Sequence, residues 1–579
     1  MRLKTALRIA PTLALFHAFA ANAQDAPASA ATLVPADSVA VLIVHDGDQK
    51  LSEIQSLAFD SDIVDSPAYR RVLENRELMQ ARVMLAGVAA TAGVDSWTAV
   101  GALLGRELAI AAQPRKAGDP ALVAVARLRQ PELVDRLLET VYGMIGLTVD
   151  GRPQPEASRI VDGVRVYKLG DDGFVCRIDD ALVLSNDQSA MRAVVKQHAA
   201  GTGGIVETSD WREARADVPR DAAAWGFVRL KHLRDGLSES GETIPGKLDN
   251  PLAAFVFGNW HYAALHARRA TFWLRAQTGE LTLETRFAGV GKFPETHRGF
   301  DVAPAPGDWD ASALPRFLAE MRLTRDWSRL FAERESLLTL SAASDVVNFA
   351  TTLSTLFGGM DFLNDILPKL ETDTRLIVAR QDFSATDVLP VPRLPAFALV
   401  TRLKPEAVED MTQRLFSAAQ MALSILNLDM AQNGQPTYLI DVDRYRGVRM
   451  LTTVFTNPPG RASMASSQDE STMADSREGS VRFNFTPAVA VVSDRYVVAT
   501  SRELLTDIID SVLDAAKSTQ QTAERCLDRL SVDGRSFVEI LEENRRELIA
   551  NRMLEEDLSR AEAERDIDMI LDLLGRVQH

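Results

Sequence analysis

Along this chain, short β-rich runs alternate with longer stretches in which apolar residues recur at helical spacing. Residues 121–128 (Ala-Leu-Val-Ala-Val-Ala-Arg-Leu) lead through Pro131 and Glu132 into Leu133, Val134, Leu137, Leu138 and Val141, one apolar face of a helix. Residues 396–403 (Ala-Phe-Ala-Leu-Val-Thr-Arg-Leu) lead through Pro405 and Glu406 into Val408, Met411 and Leu415. Proline suits the first helical position, where its missing N–H would find no partner in any case, so the two stretches read as one unit used twice. The likeness continues in the same order. Residues 163–167 (Gly-Val-Arg-Val-Tyr) match 447–451 (Gly-Val-Arg-Met-Leu), and residues 179–185 with a helix over 188–197 match 494–500 with a helix over 502–515. Each of those helices begins after a cluster of Ser, Thr, Asp or Asn, which suits an N-cap. Residues 107–113 and 374–380 open the paired hairpin in each half, behind helical segments over 69–92 and 343–370. Residues 225–230 and 536–541 read as a short strand before a charged helix.

Antiparallel runs punctuated by helices predict an α+β fold of two similar modules, each a largely antiparallel sheet with helices on it, plus a C-terminal helical segment. A hairpin of 271–276 and 281–287 about the turn 277–280 belongs to the first half alone. The organisation is a leader at 1–23, a linker at 24–32, a first module at 33–292 and a Pro-rich linker at 293–310. A second module spans 311–545 with a low-complexity insertion at 457–480, and helices fill 546–579.

Residues 1–23 have the order of a signal peptide. Arg2, Lys4 and Arg8 precede an apolar stretch at 9–20 and then Ala21, Asn22 and Ala23, so cleavage is expected after Ala23, with export to the periplasm or beyond. No Cys follows for lipid attachment. The longest later apolar run, 84–94, is about half the length a membrane span needs. The net charge of −16 would become −19 without the leader, and no basic stripe is clustered, so nucleic acid is a poor partner. Two cysteines, Cys176 and Cys526, are far too few for a disulfide scaffold. They are expected to be buried thiols in different halves, a bridge between them being the alternative.

Candidate chemistry is sparse. Residues 241–247 (Gly-Glu-Thr-Ile-Pro-Gly-Lys) have phosphate-loop spacing, but Leu248 stands where a Mg²⁺-holding hydroxyl belongs and Pro245 removes an amide, so a surface loop is expected. His261 and His266, five apart, suit neither one helix face nor one strand face and read as surface or edge-strand histidines. His45 and Asp46 end the buried-strand run 39–44 where a base could stand, although a polar turn before Gly47 is the simpler reading. Asp171, Asp172, Asp179, Asp180, Asp361 and Asp365 supply carboxylates without a spacing that joins two of them across a cleft. There is no Gly-x-Ser-x-Gly elbow. No catalytic, cofactor-binding or metal-ligating residue is assigned and no cofactor is implied. In the tail, Leu554, Leu558, Ala561, Ile570 and Leu571 form a stripe that either packs on its own domain or joins an oligomer.

The opening Leu-Val-Pro-Ala-Asp-Ser-Val-Ala-Val at 33–41, with the Gly-Val-Arg-Val and Ala-Leu-Val-Leu-Ser pairs at 163–166 and 181–185, resembles an uncharacterised family of secreted bacterial envelope proteins, a domain of unknown function. The resemblance covers most of 33–240 and, through the repeat, 310–545. It implies an exported, envelope-associated protein and transfers no functional residue; the lipid-attachment cysteine of some similar proteins is missing here. The expectation is a non-catalytic binding or scaffolding protein of the periplasm or envelope, whose broad sheets or inter-module groove engage a protein or polymer. The alternative is an envelope-acting hydrolase with an acidic cleft between the modules.

Overall fold

A computed structural model describes residues 29–49, 76–115, 120–146, 158–169, 173–239, 241, 243–277, 280–303, 309–383, 389–456, 481–516, 528–556 and 558–576. The leader, Asp171, Asp172, Cys526 and the insertion 457–480 lie outside these residues. The chain falls into two compact units, one drawn from 1–244, 262–291 and 576–579, the other from 245–261 and 292–575. Each carries one large antiparallel sheet with helices, so the fold is α+β with two modules.

The first sheet holds β1 (Ala40–His45), β2 (Glu107–Gln113), β3 (Ala121–Arg127), β4 (Ser158–Val161), β5 (Val164–Leu169), β6 (Gly173–Ile178), β7 (Ala181–Ser185), β8 (Ala224–Val228), β9 (Arg269–Gln277) and β10 (Glu280–Ala288). Their spatial order is β10-β9-β8-β1-β2-β3-β7-β6-β5-β4. One face is the core: Val41, Ile43, Ala109, Ala111, Val123, Val125 and Val183 meet Met191, Val194 and Val195 of the helix Gln188–Ala200. That helix starts where the Asp187 carboxylate accepts from the Ala190 amide, and ends at Gly201 in the left-handed region.

The second sheet holds β11 (Phe317–Thr324), β12 (Leu370–Ala379), β13 (Ala396–Leu403), β14 (Tyr438–Tyr445), β15 (Val448–Phe455), β16 (Ala488–Val492), β17 (Arg495–Ala499) and β18 (Asp528–Val532). Read from the β18 edge, the order β18-β11-β12-β13-β17-β16-β15-β14 repeats β8-β1-β2-β3-β7-β6-β5-β4 strand for strand. The helix Arg502–Ala515, capped by Ser501, buries Leu504, Leu505, Ile508, Ile509 and Val512 on the core face. Each such side chain contributes about 1.5–3 kcal/mol. The first module alone adds the β9–β10 hairpin, as its alternation predicted.

Local detail repeats as well. The β4–β5 turn (Asp162 φ 45°, Gly163 φ 84°) and the β14–β15 turn (Arg446 φ 48°, Gly447 φ 84°) both place two residues at positive φ, the twist a two-residue hairpin needs. The pairing Arg127↔Ala181 against Arg402↔Arg495 matches Asp180 to Asp494. By sequence Asp179 pairs with Asp494; the ladders shift the match by one residue. Asp179 instead corresponds to Ser493, both at φ just above 50°.

A second correction concerns residues 536–541. They lie inside the helix Gly534–Glu543, whose first turn is capped by Asp533, and the strand is β18 just before it. A six-residue apolar run does not distinguish the two periods, and the short polar strand carried little signal. In the linker at 293–310, Phe293 and Phe300 pack with Leu330 and Phe331. The tail forms two helices, Arg545–Glu556 and Arg560–Arg576, which bury Ile549, Ala563 and Ile567 between them with Leu548, Leu558 and Leu571 alongside. No helix of the described residues is long and apolar enough to cross a membrane.

Candidate functional site

The antiparallel register brings the ends of β1, β2, β3 and β7 together, and charged residues gather there. His45 Nδ1 lies 3.4 Å from Glu107, its register partner on β2. Glu107 also accepts from the Ser29 hydroxyl at 2.6 Å and the Ala30 amide at 2.5 Å, tying residues 29–33 to the sheet. Burial pushes the Glu107 carboxyl up, but the bonds from His45, Ser29 and Ala30 outweigh it and hold the group below its ordinary value. Here the carboxylate stands between hydroxyl and imidazole. Hydroxyl activation needs the imidazole in the middle, so the geometry serves as a clamp. Asp46 pairs with Arg129 at 2.5 Å, and Asp48 pairs with the same guanidinium. Asp180 receives Arg127 at 2.5 Å and Arg106 at 2.6 Å.

In the second module Arg402 meets Asp494 at 2.7 Å. A deeper network crosses the neighbouring strands: Arg322 to Asp373 at 2.7 Å, and Arg375 to Glu320 at 3.1 Å and Asp373 at 3.3 Å, with Arg375 stacked 4.8 Å from the Trp309 ring. Burial lifts the Glu320 carboxyl above its usual value against the pull of Arg375 and Arg322.

The remaining candidates are dispersed. Cys176 is buried in β6, its sulfur 3.4 Å from that of Met191, and burial pushes its thiol up to about 12. His261 and His266 sit on the helix Pro251–His266 rather than on an edge strand. His261 bonds the Pro245 carbonyl at 2.7 Å, and the His266 ring lies 4.3 Å from Tyr262. Lys247, the lysine of the phosphate-loop lookalike, donates to the Glu335 carbonyl at 2.7 Å. Asp361 caps the turn Phe362–Ile366 and bonds Asn364, while Asp365 accepts from the Asp361 amide. Among the described residues no group of three or more His, Cys, Asp or Glu could hold a metal ion.

The feature that residue-type searching missed is the outer face of the second sheet. Leu530, Met321, Leu376, Leu399 and Val498 are successive register partners across β18, β11, β12, β13 and β17, a single apolar row on one face. A second row runs Val532, Ala319, Val378, Phe397. The helix Val408–Gln432 covers Leu451, Val489 and Val498 with Phe416 and Leu423. Beyond it the rows lie open, with Leu399 47%, Leu376 40% and Leu530 67% exposed. In the first module the same row reads Gly226, Leu42, Ile110, Ala124, Leu184, and β9 continues it with Phe272 over Gly226. A Cβ on Gly226 would meet the Val41 carbonyl at 2.3 Å and the Phe272 ring at 2.7 Å. At the equivalent place the second module carries Leu530 on an edge strand with no neighbour among the described residues. The signal was present in the sequence as apolar residues on both parities of 396–400, but only register joins them to β11 and β18.

No family model, no curated protein and no solved structure matches the chain.

Proposed function

We propose that this chain is an exported, non-catalytic binding or scaffolding protein of the bacterial periplasm or cell envelope, akin to the secreted envelope proteins its motifs resemble. The second module's open sheet face is its docking surface. The observation that carries this reading is the two-row apolar patch running from Leu399 to the β18 edge. Contiguous exposed apolar surface of this kind marks an interaction site, because water around it is released when a partner covers it. Also in support, Asp48 and Asp180 in the first module and Asp373 and Asp494 in the second are committed to arginines.

The test compares the full chain with a Leu376→Lys, Leu399→Lys variant in crosslinked envelope fractions. A defined partner held by the parent chain and lost by the variant, with unchanged circular dichroism, is the expected result. Equal retention by both, or turnover of an envelope polymer by the purified protein, overturns it.

A further inference from the structure

The two sheets repeat strand for strand as far as β8 and β18, and there they part. β8 has β1 on one side and β9 on the other, whereas β18 has β11 on one side and, among the described residues, no strand on the other. The ladder decides which peptide groups are turned to that open side. Asp533 donates its amide to the Leu318 carbonyl at 2.7 Å, so by the antiparallel alternation Ser531 and Arg529 also turn their N–H and C=O to β11. Asp528, Leu530 and Val532 turn theirs away from it. In the first module His45 donates to the Ala223 carbonyl at 3.2 Å, which by the same count turns Ala224, Gly226 and Val228 away from β1. Those three are met by Leu274, Phe272 and Ala270 of β9.

The Asp528 end of this edge is occupied. Arg325 donates to both carboxylate oxygens of Asp528, at 2.6 and 2.8 Å, and Asn259 donates to it at 2.7 Å. Leu530 and Val532, in contrast, are 67% and 59% exposed. The edge lacks the proline or bulge that commonly guards such a strand, and its one basic residue, Arg529, bonds the Ser531 hydroxyl on the opposite face. Leu530 and Val532 are also the last members of the two apolar rows, so a strand added beside them lengthens both rows. Laid antiparallel, as β9 lies along β8, such a strand places alternate residues next to Leu530 and Val532 on the open face and is apolar at both. The residue beside Leu530 is smaller than Phe272, because the Leu530 side chain fills the space that Gly226 leaves to the Phe272 ring.

We propose that the partner docks by adding a strand: an extended segment of another protein, apolar at alternate positions, pairs antiparallel with β18 through the peptide groups of Leu530 and Val532. The outer face of the sheet then continues one strand further. The first module supplies the precedent, since there the equivalent edge is closed by β9 of the chain itself. The proposal rests on the reading of the open sheet face as the docking surface, and specifies which part of the partner binds and in which direction it runs.

The probe is a peptide of residues 269–277 (Arg-Ala-Thr-Phe-Trp-Leu-Arg-Ala-Gln) carrying Phe272→Val, added to the full chain. The control is the same peptide carrying Phe272→Pro, which lacks the N–H aimed at β18. In the chain alone, hydrogen exchange resolved to single residues is expected to be fast at the Leu530 and Val532 amides and slow at those of Arg529 and Ser531. The first peptide is expected to slow Leu530 and Val532 about tenfold or more, and the control to leave them unchanged. Leu530→Pro removes an outward N–H and none from the β11 ladder, and is expected to weaken peptide binding about tenfold or more; Leu530→Ala keeps the N–H and is expected to weaken it about threefold or less. Slow exchange at Leu530 and Val532 in the chain alone overturns strand addition, as does protection there that disappears on dilution and so belongs to a second copy. No protection by the first peptide, or equal weakening by Leu530→Ala and Leu530→Pro, overturns it too. Exchange in the unaltered chain decides the matter if Leu530→Pro does not fold. In crosslinked envelope fractions, a partner lost by the Leu376→Lys, Leu399→Lys variant but kept by Leu530→Pro removes the edge and leaves the face; a partner kept by both removes the face as well.

Discussion

Arg402 meets Asp494 at 2.7 Å, at the position where Arg127 meets Asp180 in the first module. The same aspartates also accept, through their backbone carbonyls, the amides of Leu403 and Leu128. Each module thus pins the outgoing end of its central strand to the turn that opens the next one. Burial pushes the Asp180 carboxyl up, but Arg127 and Arg106 outweigh it and hold the group below its usual range. Asp180→Asn removes a charge from beside the buried Arg127 guanidinium. Chemical denaturation is expected to show a loss of about 1–3 kcal/mol, with Asp494→Asn acting likewise through Arg402. A loss indistinguishable from zero in both would make the repeated pair incidental.

The clamp at Glu107 predicts an acid limb. A carboxyl depressed in the folded state lends stability that is fully present above the unfolded value of about 4.3 and is lost as pH falls through the lower folded value. Stability from this group should therefore be flat from pH 7 down to about 5 and decline below about 4.3. Glu107→Gln, which cannot ionise, is expected to start less stable at pH 7 and to fall less steeply below pH 4. Melting curves across that range decide it, and parallel curves for the two proteins would remove Glu107 from the account.

Cys176 offers a probe of core opening. Its thiol, raised to about 12 and enclosed by the first module's core, is almost entirely unionised at pH 8, and the thiolate is the reactive form. In a Cys526→Ser background, an aromatic disulfide reagent should label the protein only after denaturant is added, at a rate set by unfolding. Rapid stoichiometric labelling of the native protein would show that β6 opens locally.

Much of the architecture could be read from the sequence because it is written twice. Two junctions in which Arg-Leu is followed closely by Pro-Glu, 127–132 as Arg-Leu-Arg-Gln-Pro-Glu and 402–406 as Arg-Leu-Lys-Pro-Glu, announce equivalent strand-to-helix connections. A match between halves is far harder to produce by chance than either pattern alone. What stayed illegible depends on contacts distant in sequence. Asp180 and Asp179 are both turn formers, so only the ladder decides which corresponds to Asp494. Leu530 and Leu399 become neighbours in one row only through the intervening Met321 and Leu376. Arg393 lies in a stretch without periodicity; Asn544, which clasps its backbone, comes from 151 residues away, and Asn484 holds its neighbour Leu394 from 90 residues away.

Leu376 and Ile377, adjacent on β12, separate docking from folding. Ile377 points into the core at 0% exposure against Ala398, whereas Leu376 stands 40% exposed in the outer row. Ile377→Ala leaves a cavity its neighbours cannot fill and is expected to cost about 2–5 kcal/mol. Leu376→Lys places its ammonium in water with its methylenes along the row, and should shift stability by no more than about 0.5 kcal/mol. On the open-face reading the lysine abolishes partner retention while the alanine variant, assayed below its melting temperature, keeps it. If the lysine variant instead loses several kcal/mol, the outer row belongs to the folded module's own packing and the docking surface must be sought elsewhere.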